Sequence, residues 1–419
     1  GKCDDRTALV TMALRSVGIP AAFEFVPYWG SNNNGHSFVS IILPDNKIYP
    51  LQNTDKQADR DYYLSRKTPK IYRKMYSIQD LAKHIDNIPE LFRHNDILDV
   101  TRLHNIGSCD VTVSANINKE KEFFLSVFSQ KRWVPVAFSP SQTFHNIGTG
   151  NRYNVDRDKE AIDLGDGIVY LPTHWVNEEA IPIGNPIIVS EDSVREIKPD
   201  SKHRERVVCK RKFPLNMRII DFSKLMIMGV FEGANKADFS DATELYKITK
   251  TPESKMQKIE ISAEKSYRYI RYRKPKGTFS IAEFCLYRSD EKLLPFHPIA
   301  CDAIYEDSTM LNIFDGQPLT YYQVSGGIDL WVGVDLYKPV KISKIGFAPR
   351  NDDNAIVSTD TYELFYWQDQ WISLGRKRSI GDSIVYDNVP QKALLWLHNL
   401  TKGREERPFT YENGKQIWW

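Results

Sequence analysis

The stretch that decides the fold of the N-terminal region is Gly1–Ala21, which reads GKCDDRTALVTMALRSVGIPA. Apolar residues recur at helical spacing between Ala8 and Val17, and this predicts one unbroken helix with Cys3 at its start. Gly18 is placed to end that helix as a C′ glycine, and Pro20 follows it. The sequence therefore predicts a helix whose first residue is a cysteine.

A second short run, Gly35-His36-Ser37-Phe38, opens a predicted strand. The stretches Phe38–Leu43 and Lys47–Leu51 predict a hairpin around a Pro-Asp-Asn turn. His36 follows the polar turn 31–35, so we expect it at a rim of the fold rather than in the core. A further helix is predicted over Ile78–Ile88, with Ser77 as its N-cap.

Cys3 and His36 together suggest a nucleophilic site. A thiol is a useful nucleophile only as the thiolate, which a helix N-terminus stabilises, and a neighbouring imidazole can accept the proton. The spacing alone leaves an alternative open, in which Cys3 is a structural cysteine and His36 a turn histidine. No P-loop, HExxH or GxGxxG pattern offers competing chemistry.

Three pieces taken together resemble the transglutaminase-like core, which has a papain-like fold. They are Cys3 at the head of a helix, Arg15-x-x-Gly18-Ile19-Pro20-Ala21, and His36-Ser37-Phe38, and the resemblance covers roughly residues 1–55. It implies an α+β domain with thiol-dependent amide chemistry. In that chemistry Cys3 attacks an amide of a peptide or protein substrate and His36 moves the proton, with no cofactor and no metal.

The third member of the site departs from that family. The family places an aspartate on the strand antiparallel to the histidine strand, and this chain has Gln52 at that position, with Asn53 beside it. A carboxylate both orients an imidazole and stabilises the imidazolium, whereas a neutral amide only orients it. Papain-like proteases use an asparagine here, so Gln52 or Asn53 is expected to orient His36. Asp45 and Asp55 are the acidic alternatives, but the turn holding Asp45 lies at the far end of the hairpin from His36.

The segment before Cys3 is a second difference from the transglutaminase-like family. The superfamily often draws its oxyanion-hole donors from that segment, and only two residues precede Cys3 here, so a truncated core is expected. Trp29 is expected either to line the pocket or to pack. Two interpretations stay open: a competent Cys-His site, and a vestigial one used for binding.

Composition limits the remaining function classes. A chain of 419 residues predicts several domains, and a net charge of +2 gives no electrostatic footprint for nucleic acid. No apolar run is long enough for a transmembrane segment. The five cysteines are scattered without a CxxC pair, which indicates neither a disulfide framework nor a zinc site. Cys109, Cys209 and Cys285 stand in β contexts and are expected to be buried.

After about residue 105 the pattern changes to short strands with turn residues between them, typical of antiparallel sandwiches. We therefore predict a multidomain chain, in which an α+β papain-like or transglutaminase-like core is followed by all-β sandwich (jelly-roll, discoidin-like) domains. The predicted boundaries are 1–105 for the truncated core, 106–205 for a β-sandwich with a linker over 191–205, 206–293 for a second sandwich, and 294–419 for a third.

The last region resembles a discoidin (factor 5/8 type C) domain. Asp315-Gly316-x-x-x-Thr320 and Trp331–Leu336 carry this likeness, and Tyr269–Tyr272 with Ile281–Phe284 are similar to the closing strands of such a domain. Whether these are two complete sandwiches or pieces of an interleaved one stays open.

The discoidin likeness implies surface ligands, carbohydrate among them. Candidate ligand loops are Arg350–Asn354 and Thr320–Tyr322, with an Asx-rich turn as the alternative for the first. Trp418–Trp419 is expected in a packed C-terminal strand rather than in an exposed binding element. The whole resembles a bacterial cell-envelope or secreted protein: a thiol hydrolase with appended binding modules, or an inactive surface protein that binds carbohydrate or protein.

Overall fold

The computed structural model describes residues 2–51, 66–79, 88–104, 106–114, 122–150, 161–262, 265–305, 307–403 and 405–419. The chain forms two compact units, of which unit 1 comprises residues 1–214 and 356–419 and unit 2 comprises residues 215–355. Both are built mainly of antiparallel β-sheet. The papain-like and discoidin-like assignments stay predictions.

The N-terminal part of unit 1 is a five-stranded sheet with a helix. Helix α1 spans Cys3–Ser16, and the strand order is β3-β2-β1-β4-β5. The strand bounds are β1 Ala21–Val26, β2 His36–Ile42, β3 Ile48–Leu51, β4 Tyr72–Lys74 and β5 Ile97–Asp99; the short helix α2 is Glu90–Arg93. The helix and hairpin predicted from the sequence are confirmed, and Gly18 has the positive φ of +81° expected of a C′ glycine.

Helix α1 has an unusual burial pattern. Its buried residues are Thr7 and Thr11, which share one helical stripe with Cys3, while Leu9 and Met12 are exposed. The polar stripe therefore sets the rotation of the helix. Cys3 comes at the end of that stripe, where α1 begins.

The rest of unit 1 consists of β-sheets. One sheet has the order β13-β12-β10-β7-β8 with β11 added to β10, another has the order β24-β23-β26-β27-β28, and β6–β9 and β14–β25 form two-stranded sheets. The bounds are β6 Ser108–Thr112, β7 Phe123–Ser129, β8 Arg132–Ser139, β9 Thr143–Gly148, β10 Ile168–Val176, β11 Glu179–Pro182, β12 Ile187–Val189, β13 Val194–Glu196, β14 Asp200–Cys209, β23 Thr361–Gln368, β24 Gln370–Arg378, β25 Ile384–Gln391, β26 Leu395–Asn399, β27 Pro408–Glu412 and β28 Lys415–Trp418. The stretch 191–205, predicted as a linker, contains β13 and much of β14. Strand β14 pairs with β25, which is distant in the sequence.

Unit 2 has two sheets, of order β16-β15-β18-β21-β20 and β17-β22-β19. Its bounds are α3 Met217–Lys224, β15 Val230–Ala234, β16 Thr243–Lys247, β17 Gln257–Glu260, β18 Tyr267–Ile281, β19 Glu283–Tyr287, β20 His297–Ala300, α4 Asp302–Tyr305, β21 Tyr322–Val340 and β22 Lys344–Ala348. Strand β18 pairs with β21 along most of its length, so pairing crosses the predicted boundary at 293/294. The two discoidin-like pieces contribute strands to the same sheet.

Two expectations bear on parts of the chain that are not fully described. The helix predicted over Ile78–Ile88 falls mostly on residues 80–87, outside the described residues. Across the residues that are described, no helix combines the length and the apolar character needed to span a membrane.

Candidate functional site

Cys3 and His36 line the same cleft of unit 1, which has a volume of about 1630 Å³. Cys3 is the first residue of α1 and is half-buried, and His36 is the first residue of β2. Since the free N–H groups of a helix point out of its N-terminus, the thiol lies where an anion is stabilised. The structure therefore brings the two residues predicted from the sequence to one concave surface.

A hydrogen bond joins the two elements beside the candidate pair. The Ser37 hydroxyl donates to Oδ1 of Asp4, so the residue after His36 is bonded to the residue after Cys3. The Cys3 thiol lies 3.9 Å from the same oxygen. This contact anchors the first turn of α1 against the start of β2.

The ring of His36 packs between two aromatic rings. Its centroid lies 6.3 Å from that of Trp29 and 6.3 Å from that of Phe38, with interplanar angles of 21° and 19°. Because side chains alternate along a strand, His36 and Phe38 share one face of β2, and Ser37 leaves the opposite face. His36 is 9% exposed, more buried than the rim position expected from the sequence. Trp29 is buried at 2% and packs, the alternative that the sequence left open.

The predicted third members lie beyond what is described. Gln52, Asn53 and Asp55 fall outside the described residues, since β3 ends at Leu51. Asp45 lies in the turn after Ile42, at the opposite end of β2 from His36. The residue that orients His36 therefore stays a prediction.

A residue near the end of the chain anchors the turn that precedes His36. The guanidinium of Arg407 is buried, and it donates hydrogen bonds to the carbonyls of Gly30, Asn32 and Phe128. Burial lowers the pKa of Arg407 to about 9. These bonds connect the turn before His36 to the sheet that contains β7.

A buried charged cluster lies on the same sheet as His36. Glu24 of β1 is 0% exposed; it accepts hydrogen bonds from Ser40, from Arg73 Nε at 2.8 Å and from His104 Nε2 at 2.8 Å. Burial acts to raise the pKa of Glu24, but the bonds and charges of these three partners outweigh it and hold the pKa below its usual value. The ring of Phe38 contacts His104 edge to face at 5.6 Å.

Aromatic side chains from separate elements line the cleft together with the candidate pair. They include Tyr28, Trp133, Trp175 and Trp371. The Trp133 and Trp371 rings are nearly parallel, at 8° with centroids 6.4 Å apart. The indole N–H groups of Trp133 and Trp175 are buried and find no hydrogen-bond partner in the described part of the chain.

Acidic and basic side chains are balanced around the cleft. The acidic ones are Asp4, Asp5, Glu90, Asp96, Glu178 and Glu179, and the basic ones are Lys2, Lys74, Arg93, Lys131 and Arg132, with His36 and His94 also lining the cleft. A polyanion or a polycation would find nearly as many like charges as opposite ones, so the cleft favours a ligand without a large net charge.

The two ligand loops predicted from the sequence meet in unit 2. The Arg350 guanidinium lies 3.8 Å above the Phe222 ring and 3.9 Å above the Tyr321 ring. Burial lowers the pKa of Arg350, and the charge of Arg218 adds to this. A pocket of about 400 Å³ adjoins Tyr321. Within the Arg350–Asn354 loop, Asn351 Oδ1 accepts from Asp353 N at 2.9 Å, as in the Asx-rich turn considered for it.

Unit 2 also contains a pair of neighbouring carboxyl groups. Glu283 is 4% exposed, and its Oε1 accepts no hydrogen bond within the described ranges. Burial, with the nearby charge of Asp315, raises the pKa of Glu283 to about 8. Asp315 itself accepts hydrogen bonds from Thr320 and from Gln317 N.

The remaining sequence expectations concern cysteines and the C-terminal tryptophans. Cys209 is buried, whereas Cys109 and Cys285 are only partly so. Trp418 and Trp419 are buried at 4% and 3%, and Trp418 ends β28, as expected of a packed strand.

Sequence reasoning missed the Asp4–Ser37 contact and the contact between Trp133 and Trp371. Asp4 adjoins a candidate nucleophile and could have been noticed for that reason. Trp371 carries no local signal, because more than 230 residues separate it from Trp133 and only the fold places both on the cleft.

Comparisons with protein-family models, with curated proteins and with solved structures give no match to this chain. The fold and the site therefore have to be interpreted from the chain's own residues.

Proposed function

We propose that the protein is a thiol hydrolase of amide bonds, with Cys3 as nucleophile and His36 as the group that moves the proton. The observation that carries this proposal is the shared cleft: a cysteine at a helix N-terminus and a histidine at the start of a strand line the same surface. The Ser37–Asp4 hydrogen bond holds the start of α1 against the start of β2, although the His36 ring leaves the opposite face of β2 from Ser37.

The reaction proceeds in two acyl transfers. His36 accepts the thiol proton of Cys3, the sulfur attacks the carbonyl carbon of an amide, and His36 passes that proton to the leaving amine as the C–N bond breaks to leave a thioester. Water then attacks the thioester while His36 accepts a proton from that water, and His36 returns the proton to the sulfur as the C–S bond breaks and the carboxylic acid departs. We propose Gln52 or Asn53 as the group that orients His36. The discoidin resemblance supports a secreted or cell-envelope location.

Acylation by p-nitrophenyl acetate tests this function without knowledge of the substrate. A competent site acetylates Cys3, and p-nitrophenolate release continues beyond one equivalent as water clears the thioester. Peptide mass spectrometry locates the acetyl group, and Cys109, Cys209, Cys285 and Cys301 serve as internal controls. Release that stops in Cys3→Ser and slows in His36→Ala supports the proposal. Acetylation of Cys3 no faster than that of the other four thiols contradicts it.

A second function, an inactive surface protein that binds carbohydrate through its β modules, is favoured by one observation in unit 2. There the Arg350 guanidinium is held between Phe222 and Tyr321 beside a small pocket. Under this function a glycan array binds the intact chain, Cys3→Ala leaves the signal unchanged, and Arg350→Ala removes it. Loss of the signal in Cys3→Ala, or its persistence in Arg350→Ala, contradicts this second function.

A further inference from the structure

Two arginines of unit 2 lie close together without an acidic partner. The guanidinium carbon of Arg350 is 3.8 Å from the centroid of the Phe222 ring, and that of Arg218 is 5.5 Å from the same centroid, so the two carbons are at most 9.3 Å apart, the sum of these distances. Among the described residues, neither side chain forms an ion pair or donates a hydrogen bond. Like charges repel at this separation, and an anion bound beside them would offset the repulsion.

The Arg350 guanidinium is held by aromatic rings while its N–H groups stay accessible. Its carbon lies 3.8 Å from the Phe222 centroid and 3.9 Å from the Tyr321 centroid, so both rings contact it. Aromatic rings stack on the flat face of a guanidinium, whereas its N–H donors point outward in its plane. Arg350 is half-buried, and none of its nitrogens is among the buried polar atoms that find no partner in the described residues. A ligand can therefore reach these donors.

The group that matches these donors is an oxyanion. A carboxylate or a sulfate accepts two parallel hydrogen bonds from a guanidinium, and its negative charge is stabilised by both arginines. Asp352 and Asp353 follow Arg350 in the same loop without forming an ion pair with it. Their charges disfavour a polyanion such as nucleic acid, so we expect a ligand with one or two negative groups.

The pocket beside Tyr321 indicates what carries the oxyanion. It has a volume of about 400 Å³. Hydroxyl and amide side chains line much of it, namely those of Thr309, Asn312, Thr320, Tyr322 and Gln323. Such groups bond well to the hydroxyls of a sugar ring. Tyr321 connects the pocket to the arginines, because it lines the pocket and its ring contacts Arg350.

We propose that Arg218 and Arg350 form an oxyanion site which, together with the pocket beside Tyr321, binds an acidic saccharide. The carboxylate or sulfate of the ligand meets the arginines, and its hydroxyl groups enter the pocket. This inference deepens the second function proposed above, on which it rests, because it names the class of carbohydrate. It is independent of the reactivity of Cys3.

Calorimetry on the full-length protein tests the site. The probes are trigalacturonate and sulfated lactose, each paired with its uncharged counterpart, the methyl ester of trigalacturonate and lactose itself. At least one acidic probe binds, and its counterpart binds about tenfold more weakly or less, as expected for the loss of a charge-assisted pair. Arg350→Gln weakens binding of the acidic probe by a similar factor. Arg350→Lys, which keeps the charge but loses the flat fork, and Arg218→Gln give smaller losses.

Arg288→Gln is the matched control and should bind the acidic probe as the wild-type protein does. It removes an equal charge from unit 2, but Arg288 lies 3.6 Å from its acidic partner Asp290. It also follows Tyr287, which pairs with Lys344 at the end of β22 remote from Arg350.

Three results overturn the inference: neither acidic probe binds, Arg288→Gln weakens binding as much as Arg350→Gln, or inorganic sulfate binds as tightly as the acidic saccharides. Equal binding of acidic and uncharged saccharides that is lost in Arg350→Ala overturns the oxyanion site and leaves the second function standing. The two failures are therefore distinguishable.

Discussion

Two histidine-containing regions on one sheet differ in whether they border a cleft. His104 belongs to the buried cluster around Glu24, where Ser40 and Arg73 bind the same carboxylate. His36 instead lines a cleft, which Cys3 at the N-terminus of α1 also lines. Glu24, Ser40 and His104 in the first region are buried and bonded to one another, whereas the second region borders a cleft of about 1630 Å³.

This difference separates polar groups that stabilise the fold from polar groups that are placed to react. A buried carboxylate surrounded by donors and cations stabilises the fold, and its removal leaves those partners unpaired. The Cys3 thiol is only half-buried and lines a cleft, so it contributes less to packing. We therefore expect substitutions in the Glu24 cluster to change stability, and substitutions of Cys3 to change reactivity while the fold persists.

Glu24→Gln is expected to have the largest effect on stability. It removes the charge that pairs with Arg73 and His104, and breaking such a buried pair costs about 3–5 kcal/mol of the free energy of unfolding. Urea unfolding measures this loss. Glu178→Gln is the control, since Glu178 is 80% exposed and lies 3.9 Å from Arg93, a geometry worth less than about 1 kcal/mol. An equal loss in the free energy of unfolding for the two variants would contradict the distinction between the buried Glu24 cluster and an exposed ion pair.

Glu283→Gln tests how the stability of the protein depends on pH. The pKa of Glu283 is about 8 in the folded chain, above the ordinary value of 4.5, so its stabilising contribution is complete below pH 4.5 and is lost as the pH rises through 8. Wild-type protein should lose about 1–3 kcal/mol of stability over that window, and Glu283→Gln should lose less.

Glu24 should respond in the opposite sense, because its folded pKa is lowered. Its contribution is present above pH 4.5 and is lost as the pH falls through the folded pKa. Thermal unfolding between pH 3 and 9 measures the contribution of each of the two glutamates to stability. If the stability of the wild-type protein rises between pH 5 and 8 while that of Glu283→Gln stays constant, the predicted direction of the pH dependence is wrong.

Ser37→Ala is expected to have the smallest effect on stability, about 1 kcal/mol, because it removes one hydrogen bond, to Asp4. It should also slow alkylation of Cys3, since the first turn of α1 loses its anchor beside His36. Ser37→Thr keeps the hydroxyl and should restore the rate. A threonine variant as slow as the alanine variant would show that the hydroxyl is not the anchor.

Local chemistry made part of this molecule predictable. The helix from Cys3 and the hairpin after His36 follow from helical spacing, a C′ glycine and strand alternation, which act over a few residues. Pairing of β14 with β25 and the arrival of Trp371 at the cleft depend on contacts across well over a hundred residues, which no local pattern encodes. The burial of His36 was missed for a different reason: Trp29 and Phe38 are close to it in the sequence, but their rings cover it only once the turn and strand β2 have folded.

The most direct test of the central claim is the rate at which iodoacetamide labels Cys3 near neutral pH, in wild-type protein and in His36→Ala. A thiol next to an imidazole that accepts its proton reacts faster than an isolated thiol. We predict that Cys3 reacts faster than Cys109 in wild-type protein and that His36→Ala removes this difference, while the rate of Cys109 is the same in both proteins. If Cys3 reacts no faster than a free thiol, with or without His36, the Cys-His site does not exist.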